Sequence, residues 1–398
     1  MAVDTAYVRM PEPIIASVGA SPLGRTDLPG RDLFSVALAE AFDELPDPAD
    51  VVEAVYVGSQ SESYEHQIMY GTLLAEWAGL RHVPAERVEG CAAAGALALR
   101  HAVKDVRNGE HEAVLACGVE KMTSAGTSGA TDALSAAFDR AIEQRSGVTA
   151  PSQYALLAQR YLHETDATER DLAEIAVKNH ANAARNPRAQ FPKEVDVETV
   201  LESNPVASPL KLYDCAPVGD GAAAVLVTTA ELAADLDCPQ VRVAGSGASA
   251  NNIAVAERDM TDIAGARIAA ETAYEEAGID AADVDIAEVH DAFTVCEALL
   301  AEAVGFAPTG TGYQSYLDPA DRADGWTDVQ LSPSGGLKAR GHPIGATGLL
   351  QALEAYEQLT GAAGDRAVEG AETALLLNEG GVADAVTVGH VLTTAEAQ

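Results

Sequence analysis

The chain has 398 residues, 47% of them hydrophobic, enough to fill the cores of two or three domain-sized units. Asp and Glu outnumber Lys and Arg by 61 to 25, for a formal net charge of -36, while mean hydropathy stays at +0.01. The acid therefore coats an otherwise ordinary globular fold, and the charge disfavours a nucleic-acid backbone or an anionic membrane as a partner over most of the surface.

Only six of the basic residues are Lys, and the acids recur singly, as in ERDMTDIAGARIAAETAYEEAGIDAADVD. Dispersed carboxylates hold hydration where salt screens charge, so the composition predicts a cytoplasmic protein of a halophilic archaeon. The five cysteines, Cys91, Cys117, Cys215, Cys238 and Cys296, are an odd number without CxxC spacing. Neither a disulfide framework nor a metal site is expected. The opening MAVDTAYVRMPEP lacks the basic start and apolar run of a signal peptide, and no run of 18 apolar residues predicts a membrane span.

In chain order, Pro13 to Gly19 reads as a buried strand, Asp32 to Phe42 as an amphipathic helix and VVEAVYVGSQ as a second strand. RVEGCAAAGALALRHAVKDVRNG gives a short extended piece, Cys91, and a small-residue helix closed by Gly109. EAVLACGVEKM alternates as a half-buried strand. The polar stretch from 121 to 211 contains the loop-like TSAGTSGATD and a helix over TERDLAEIAVKNHANAARNP, with Thr168 or Asp171 near its start and Pro187 at its end. The second half repeats the order of the first. GGLKARGHPIGATGLLQALEAYEQLTG is a glycine-rich turn opening a helix that ends at Gly361, and ETALLLNEGG follows as a strand. Both halves close alike, with DGAAAVLVTT near 220 and GVADAVTVGHVL near 381. The pattern predicts an α/β fold with an internal duplication: a first half of residues 1–120 and 212–240, a loop domain of 121–211 and a second half of 241–398.

Four positions could carry chemistry. Cys91 stands where an extended segment gives way to a helix, and the free amides and dipole of such an end lower a thiol pKa; a buried inert cysteine is the alternative. Its small neighbours Ala92, Ala93, Ala94 and Gly95 would admit a substrate backbone. His342 lies among glycines 335, 336, 341, 345 and 348, placed to take a thiol proton or donate to an oxyanion. His290 follows a strand in DVDIAEVHDAF, and the adjacent Asp291 could be an N-cap. AGSGASANN carries Ser246 between Gly245 and Gly247. It lacks the third glycine of a dinucleotide site and reads as a flexible connection, with Ser246 kept as a candidate cofactor contact.

Taken together and in order, VEGCAAAG, PLKLYDCAPVGDGAAAVLV, VHDAF and GHPIGATG resemble the thiolase superfamily along nearly the whole chain. VHDAF in place of NEAF, and VKNHANAARNPRAQF, are similar to the archaeal and sterol-carrier-protein-2-type branch. The resemblance implies two βαβαβαββ halves in an α/β/α/β/α layering, with an inserted loop domain. It implies that Cys91 accepts an acyl group from a coenzyme A thioester, that His342 activates it and that His290 binds the thioester oxygen. The amides of Gly380 and Cys91 would form a second oxyanion hole. Coenzyme A thioesters are then substrates and no further cofactor is required. The activity implied is acetyl-CoA C-acyltransferase, with a homodimer or tetramer, a small OB-fold (zinc-ribbon) companion and a downstream synthase as partners.

One departure matters. The CxG motif of many thiolases reads Asn378-Glu379-Gly380, so the cysteine that removes the α-proton is missing, and Ala292 stands where related enzymes carry another. Cys296 reads as a helix-face residue, which leaves His290 or His342 as base. An inactive thiolase-like scaffold and a decarboxylating ketoacyl synthase-type enzyme are the alternatives.

Overall fold

Hydrophobic residues recur with period two or in short continuous runs, alternating with stretches of period 3.6, and each stretch folds as its period dictates. The computed structural model describes residues 10–395; most of the N-terminal stretch read for targeting signals lies outside the described residues. The first half runs β1 (Pro13–Ala20), α1 (Gly30–Ala41), α2 (Pro48–Val51), β2 (Ala54–Gly58), α3 (Tyr70–Trp77), β3 (Ala85–Val88), α4 (Ala94–Asn108) and β4 (Ala113–Lys121). An insertion carries α5 (Gly126–Ser135), α6 (Ala150–Glu164), α7 (Glu169–Ala183), α8 (Val197–Leu201) and a ribbon of β5 (Pro205–Ala207) with β6 (Leu210–Lys211). Then β7 (Asp220–Thr229) completes the half, and α9 (Ala230–Asp235) leads out of it. The second half repeats the order with β8 (Val241–Ala250), α10 (Ala264–Ala277), β9 (Ile286–Glu288), α11 (Thr294–Ala303), β10 (Gln330–Leu331), α12 (Thr347–Leu359), β11 (Thr373–Gly380) and β12 (Val386–Thr394).

The strands lie in the order β10-β9-β11-β12-β8-β1-β7-β4-β2-β3. Each half supplies five neighbours in the same relative order, so the duplication expected from sequence is present in the topology. The halves join where Ile14 and Ile15 of β1 pair with Arg242 and Val241 of β8. Residues of α4 and α12 share one core with inward residues of both half-sheets, among them Leu99, Val114, Val225, Leu349, Ile286 and Leu376. On the outer faces, α1 and α3 cover the first half and α10 and α11 the second. The layering is α/β/α/β/α.

Small residues let the central helices touch. A Cβ on Gly95 would lie 2.6 Å from the Gly345 carbonyl oxygen, and one on Gly348 would lie 2.5 Å from the Ala96 nitrogen. Ala93 and Ala94 are fully buried. These small residues thus admit the glycine-rich turn before α12, where a substrate backbone was expected; of the four, Ala92 faces the active-site cavity.

Three local expectations change. Strand β4 is buried on both faces, because Leu115 and Cys117 pack outward while Val114 and Ala116 pack against the central helices. TSAGTSGATD is a short 3-10 turn running into α5. AGSGASANN is not a flexible connection, since most of it is β8, paired with β12 from Ser246↔His390 through Ala250↔Val386. The helix α7 begins with a reciprocal Thr168–Asp171 capping box, and it stops at Ala183, ahead of Pro187, where Asn186 turns away to donate to the Ser334 carbonyl at 2.9 Å.

Candidate active site

The parallel strand β3 ends at Val88, and the chain turns through Glu89 and Gly90 into a 3-10 turn, Cys91–Ala93, that opens α4. Cys91 has φ 51°, a left-handed conformation that costs a non-glycine residue of order 1 kcal/mol and recurs at functional turns. Surrounding contacts hold it there. The Ala93 amide donates to the Gly90 carbonyl at 3.0 Å, and the Cys91 amide donates to Glu89 Oε1 at 2.7 Å. Strand β11 presses so close that a Cβ on Gly380 would lie 2.0 Å from the Gly90 oxygen.

The sulfur is met by the backbone amides of Gly381 and Ala92. Of the oxyanion pair expected from sequence, the Cys91 amide donates to Glu89 Oε1, and Gly380 is the contact that lets β11 approach Gly90. Burial pushes the Cys91 thiol up to about 11; the two amides pull it down, while Glu89 and Glu120 push it further up. The depressed thiol expected of a helix start is therefore not present, because desolvation outweighs the amides. Cys91 rests as a thiol and needs a base.

His342 comes from the turn before α12. Three buried carboxylates from other elements hold that turn. Asp291 accepts from the Leu337 amide at 2.7 Å and from Asn179 Nδ2 at 2.9 Å. Glu288 accepts from the Ser334 amide at 3.0 Å and from Arg340 Nη1 at 3.2 Å. Glu120 accepts from the Gly345 amide at 3.0 Å and the Gln60 amide at 2.7 Å. His342 Nδ1 lies 2.7 Å from Thr347 Oγ1, and burial, reinforced by the Arg340 charge, lowers the ring to about 3. It is a neutral imidazole.

His290 stands two residues past β9, buried, with Nδ1 2.9 Å from Asn378 Nδ2. Burial first, then His342 and Arg340, hold its pKa well below the ordinary value. Its neighbour Asp291 is not an N-cap: Phe293 occupies that place on α11, and the Asp291 carboxylate clamps the turn leading to His342. Cys296 faces the core on α11, with its thiol pushed well up by burial.

Cys91, His290, His342 and Gly381 converge on one cavity of about 190 Å³ whose remaining wall is mostly apolar, including Phe138, Tyr154, Phe293 and Ile344. Among the described residues no Lys or Arg lines it. Tyr154 stacks on Phe293 at 4.3 Å, and its hydroxyl accepts from the Ala383 amide at 3.0 Å and donates to the Gly381 carbonyl at 3.3 Å. It thereby fixes the loop whose amide meets Cys91. Tyr154, Glu120, Glu288 and Asn179 carried no local signal in the sequence, since each acts through a partner far along the chain; Asn378 was marked only as a departure from CxG.

Ser246 is not brought to this site. It is buried in β8, its hydroxyl accepts from Arg100 Nη1 at 2.7 Å and its amide donates to Glu276 Oε2 at 3.0 Å, and it is not among the residues that line the cavity. Among the described residues no three His, Cys, Asp or Glu side chains converge as a metal site, and no helix is long and apolar enough to cross a membrane. The arrangement is suited to acyl exchange on sulfur: a thiol, a neutral imidazole to take its proton, and amide and imidazole donors for an oxyanion.

A family profile described as "Thiolase, N-terminal domain" matches residues 14–231, and one described as "Thiolase C-terminal domain-like" matches residues 245–394. The chain is 42% identical over 364 residues to an acetyl-CoA acetyltransferase of Methanothermobacter thermautotrophicus, covering 91% of this chain and 94% of the relative. It is 32% identical over 401 residues to sterol carrier protein 2 of Rattus norvegicus, covering 94% and 70% of the two. Among solved structures, the Ltp2-ChsH2(DUF35) aldolase shares the fold with a TM-score of 0.78 at 22% identity, covering 98% of this chain and all of that one.

Proposed function

We propose, from the premise that the chain belongs to the thiolase family, that it is an acetyl-CoA C-acyltransferase acting through an acyl-Cys91 intermediate. The observation that carries the reading is the convergence of Cys91, His342 and His290 on one cavity with the Gly381 amide at the sulfur. A thioester carbonyl enters the cavity and Cys91 attacks it as its proton passes to His342. Amides of Gly381 and Ala92 take the developing oxyanion, and coenzyme A leaves as the thiol. A second acetyl-CoA, its oxygen held by His290, loses an α-proton and attacks the acyl group to give acetoacetyl-CoA; thiolysis runs the same steps in reverse.

Incubation with acetyl-CoA at high salt tests this: intact mass should show one acetyl group on Cys91, absent from Cys91→Ala. An unmodified native chain sinks the reading. The scaffold alternative is disfavoured by the geometry at Asn378, which contacts a histidine of the site where a degenerate position would have no partner.

The same reading places the enzyme in the cytoplasm of a halophile, where the charge of -36 maintains hydration. It also includes a companion. A cavity without lining cations gives the coenzyme A phosphates no counter-charge there, and the fold neighbour named above is a complex with a DUF35 protein. A small OB-fold partner bearing the basic groups, and a homodimer or tetramer of this chain, complete the proposal. Coexpression followed by light scattering, with and without coenzyme A, tests both.

A further inference from the structure

The two histidines of the cavity are held through the same ring nitrogen by partners of opposite kind. Thr347 Oγ1 lies 3.2 Å from the Pro343 carbonyl, which can only accept, and 2.7 Å from His342 Nδ1; with its hydrogen directed to that carbonyl it accepts from Nδ1–H. Asn378 Nδ2 has only hydrogens to offer and lies 2.9 Å from His290 Nδ1. We propose that Thr347 and Asn378 fix opposite tautomers, so that His342 presents a bare Nε2 and His290 an Nε2–H, and that His342 is the base of both half-reactions with Asn378 as the positioning residue that makes His290 a donor. The inference rests on the thiolase reading above and assigns the base left vacant by the missing CxG cysteine.

The other candidates for that base are disposed of by geometry. Residues alternate along β11, with Leu375 and Leu377 in the outer core and Ala374 and Leu376 in the inner one. Asn378 therefore shares the inner side with His290, and Glu379 falls on the outer side, where the charges of Asp384 and Arg258 act on it and it acts on Cys296. Cys296 is enclosed in that same outer core, and neither it nor Glu379 is among the residues that line the cavity.

The proton account closes with one base. As Cys91 sulfur bonds to the thioester carbon, its proton moves to His342 Nε2; the bond to the coenzyme A sulfur breaks and that sulfur takes the proton, restoring the neutral ring. The same Nε2 then takes an α-proton from the second acetyl-CoA, whose enolate oxygen is held by His290 Nε2–H. The carbanion bonds to the acyl carbon, the bond to Cys91 sulfur breaks, and Cys91 recovers the proton from His342. No oxidant or further acid enters.

Nitrogen-15 NMR of histidine-labelled native enzyme, assigned with His290→Gln and His342→Gln, should place the proton on Nε2 of His290 and on Nδ1 of His342. The reverse placement on either ring overturns the proposal without any change at Asn378. In Asn378→Leu, acetylation of Cys91 by acetyl-CoA should stay within about threefold of native, while deuterium exchange into the acetyl-CoA methyl group and thiolysis of acetoacetyl-CoA fall by about a hundredfold, the scale of one lost oxyanion donor. Equal loss of both half-reactions means a merely structural role and overturns it, as does no loss. Native enzyme that takes no acetyl group on Cys91 fails the functional reading instead, and is scored first.

Discussion

The rings of His290 and His342 meet edge to face, with centroids 5.1 Å apart and planes at 81°. One comes from the end of β9 and the other from the turn before α12, and both are kept neutral by burial and by the Arg340 charge behind them. A neutral pair divides its labour by tautomer, whereas a protonated pair would repel and lose its base.

The depressed His342 value sets the pH dependence. A group lowered from 6.5 to about 3 keeps its lone pair as pH falls through the ordinary histidine range. Acetylation of Cys91, followed by quenched-flow mass spectrometry, should therefore show no inflection between about pH 5 and pH 8, the range in which an ordinary histidine titrates. A fall centred near 6.5 would contradict the buried environment.

Burial acts on Cys91 in the opposite sense. With its thiol raised from 9.0 to about 11, alkylation by iodoacetamide should keep accelerating above pH 9, where an ordinary cysteine levels off. Peptide mapping of the alkylated chain at each pH measures it.

His342→Ala removes the base and should slow Cys91 acetylation by about a hundredfold to ten-thousandfold. Thr347→Val removes only the acceptor that orients the ring, and about tenfold is expected, the equivalent of one ordinary hydrogen bond. Single-turnover kinetics with acetyl-CoA separate the two.

Tyr154→Phe deletes the hydroxyl that ties the Ala383 amide and Gly381 carbonyl together. A loss of about 1–2 kcal/mol in stability is expected from an unpaired buried amide, together with slower acetylation as the Gly381 amide loosens. Guanidinium melts and the same single-turnover assay report both effects.

Arg340→Met should cost more. It leaves Glu288 buried without its cation, a change worth about 3–5 kcal/mol, and it loosens the turn that carries His342. Thermal unfolding of the Arg340→Met and Glu288→Gln, Arg340→Met pair would show the double variant recovering part of the loss.

The sequence by itself determined the duplication, most of its strands and helices, and the three side chains at the cavity, because these are local signals. A hydrophobic period, a cysteine before a small-residue helix and a histidine between glycines are all read within a dozen residues. Only the tertiary structure decided the rest. Whether Cys91 is acidic turned on how far the folded site desolvates it, and desolvation won over the helix end. Whether AGSGASANN is a loop turned on β12, which pairs with it from more than a hundred residues away. The partner of each histidine's Nδ1 was set by Thr347 and by Asn378, the latter 88 residues from His290. Hydrogen bonds between residues so far apart leave no periodicity in the chain, so the residues of the site were legible in sequence while their protonation and division of labour were not.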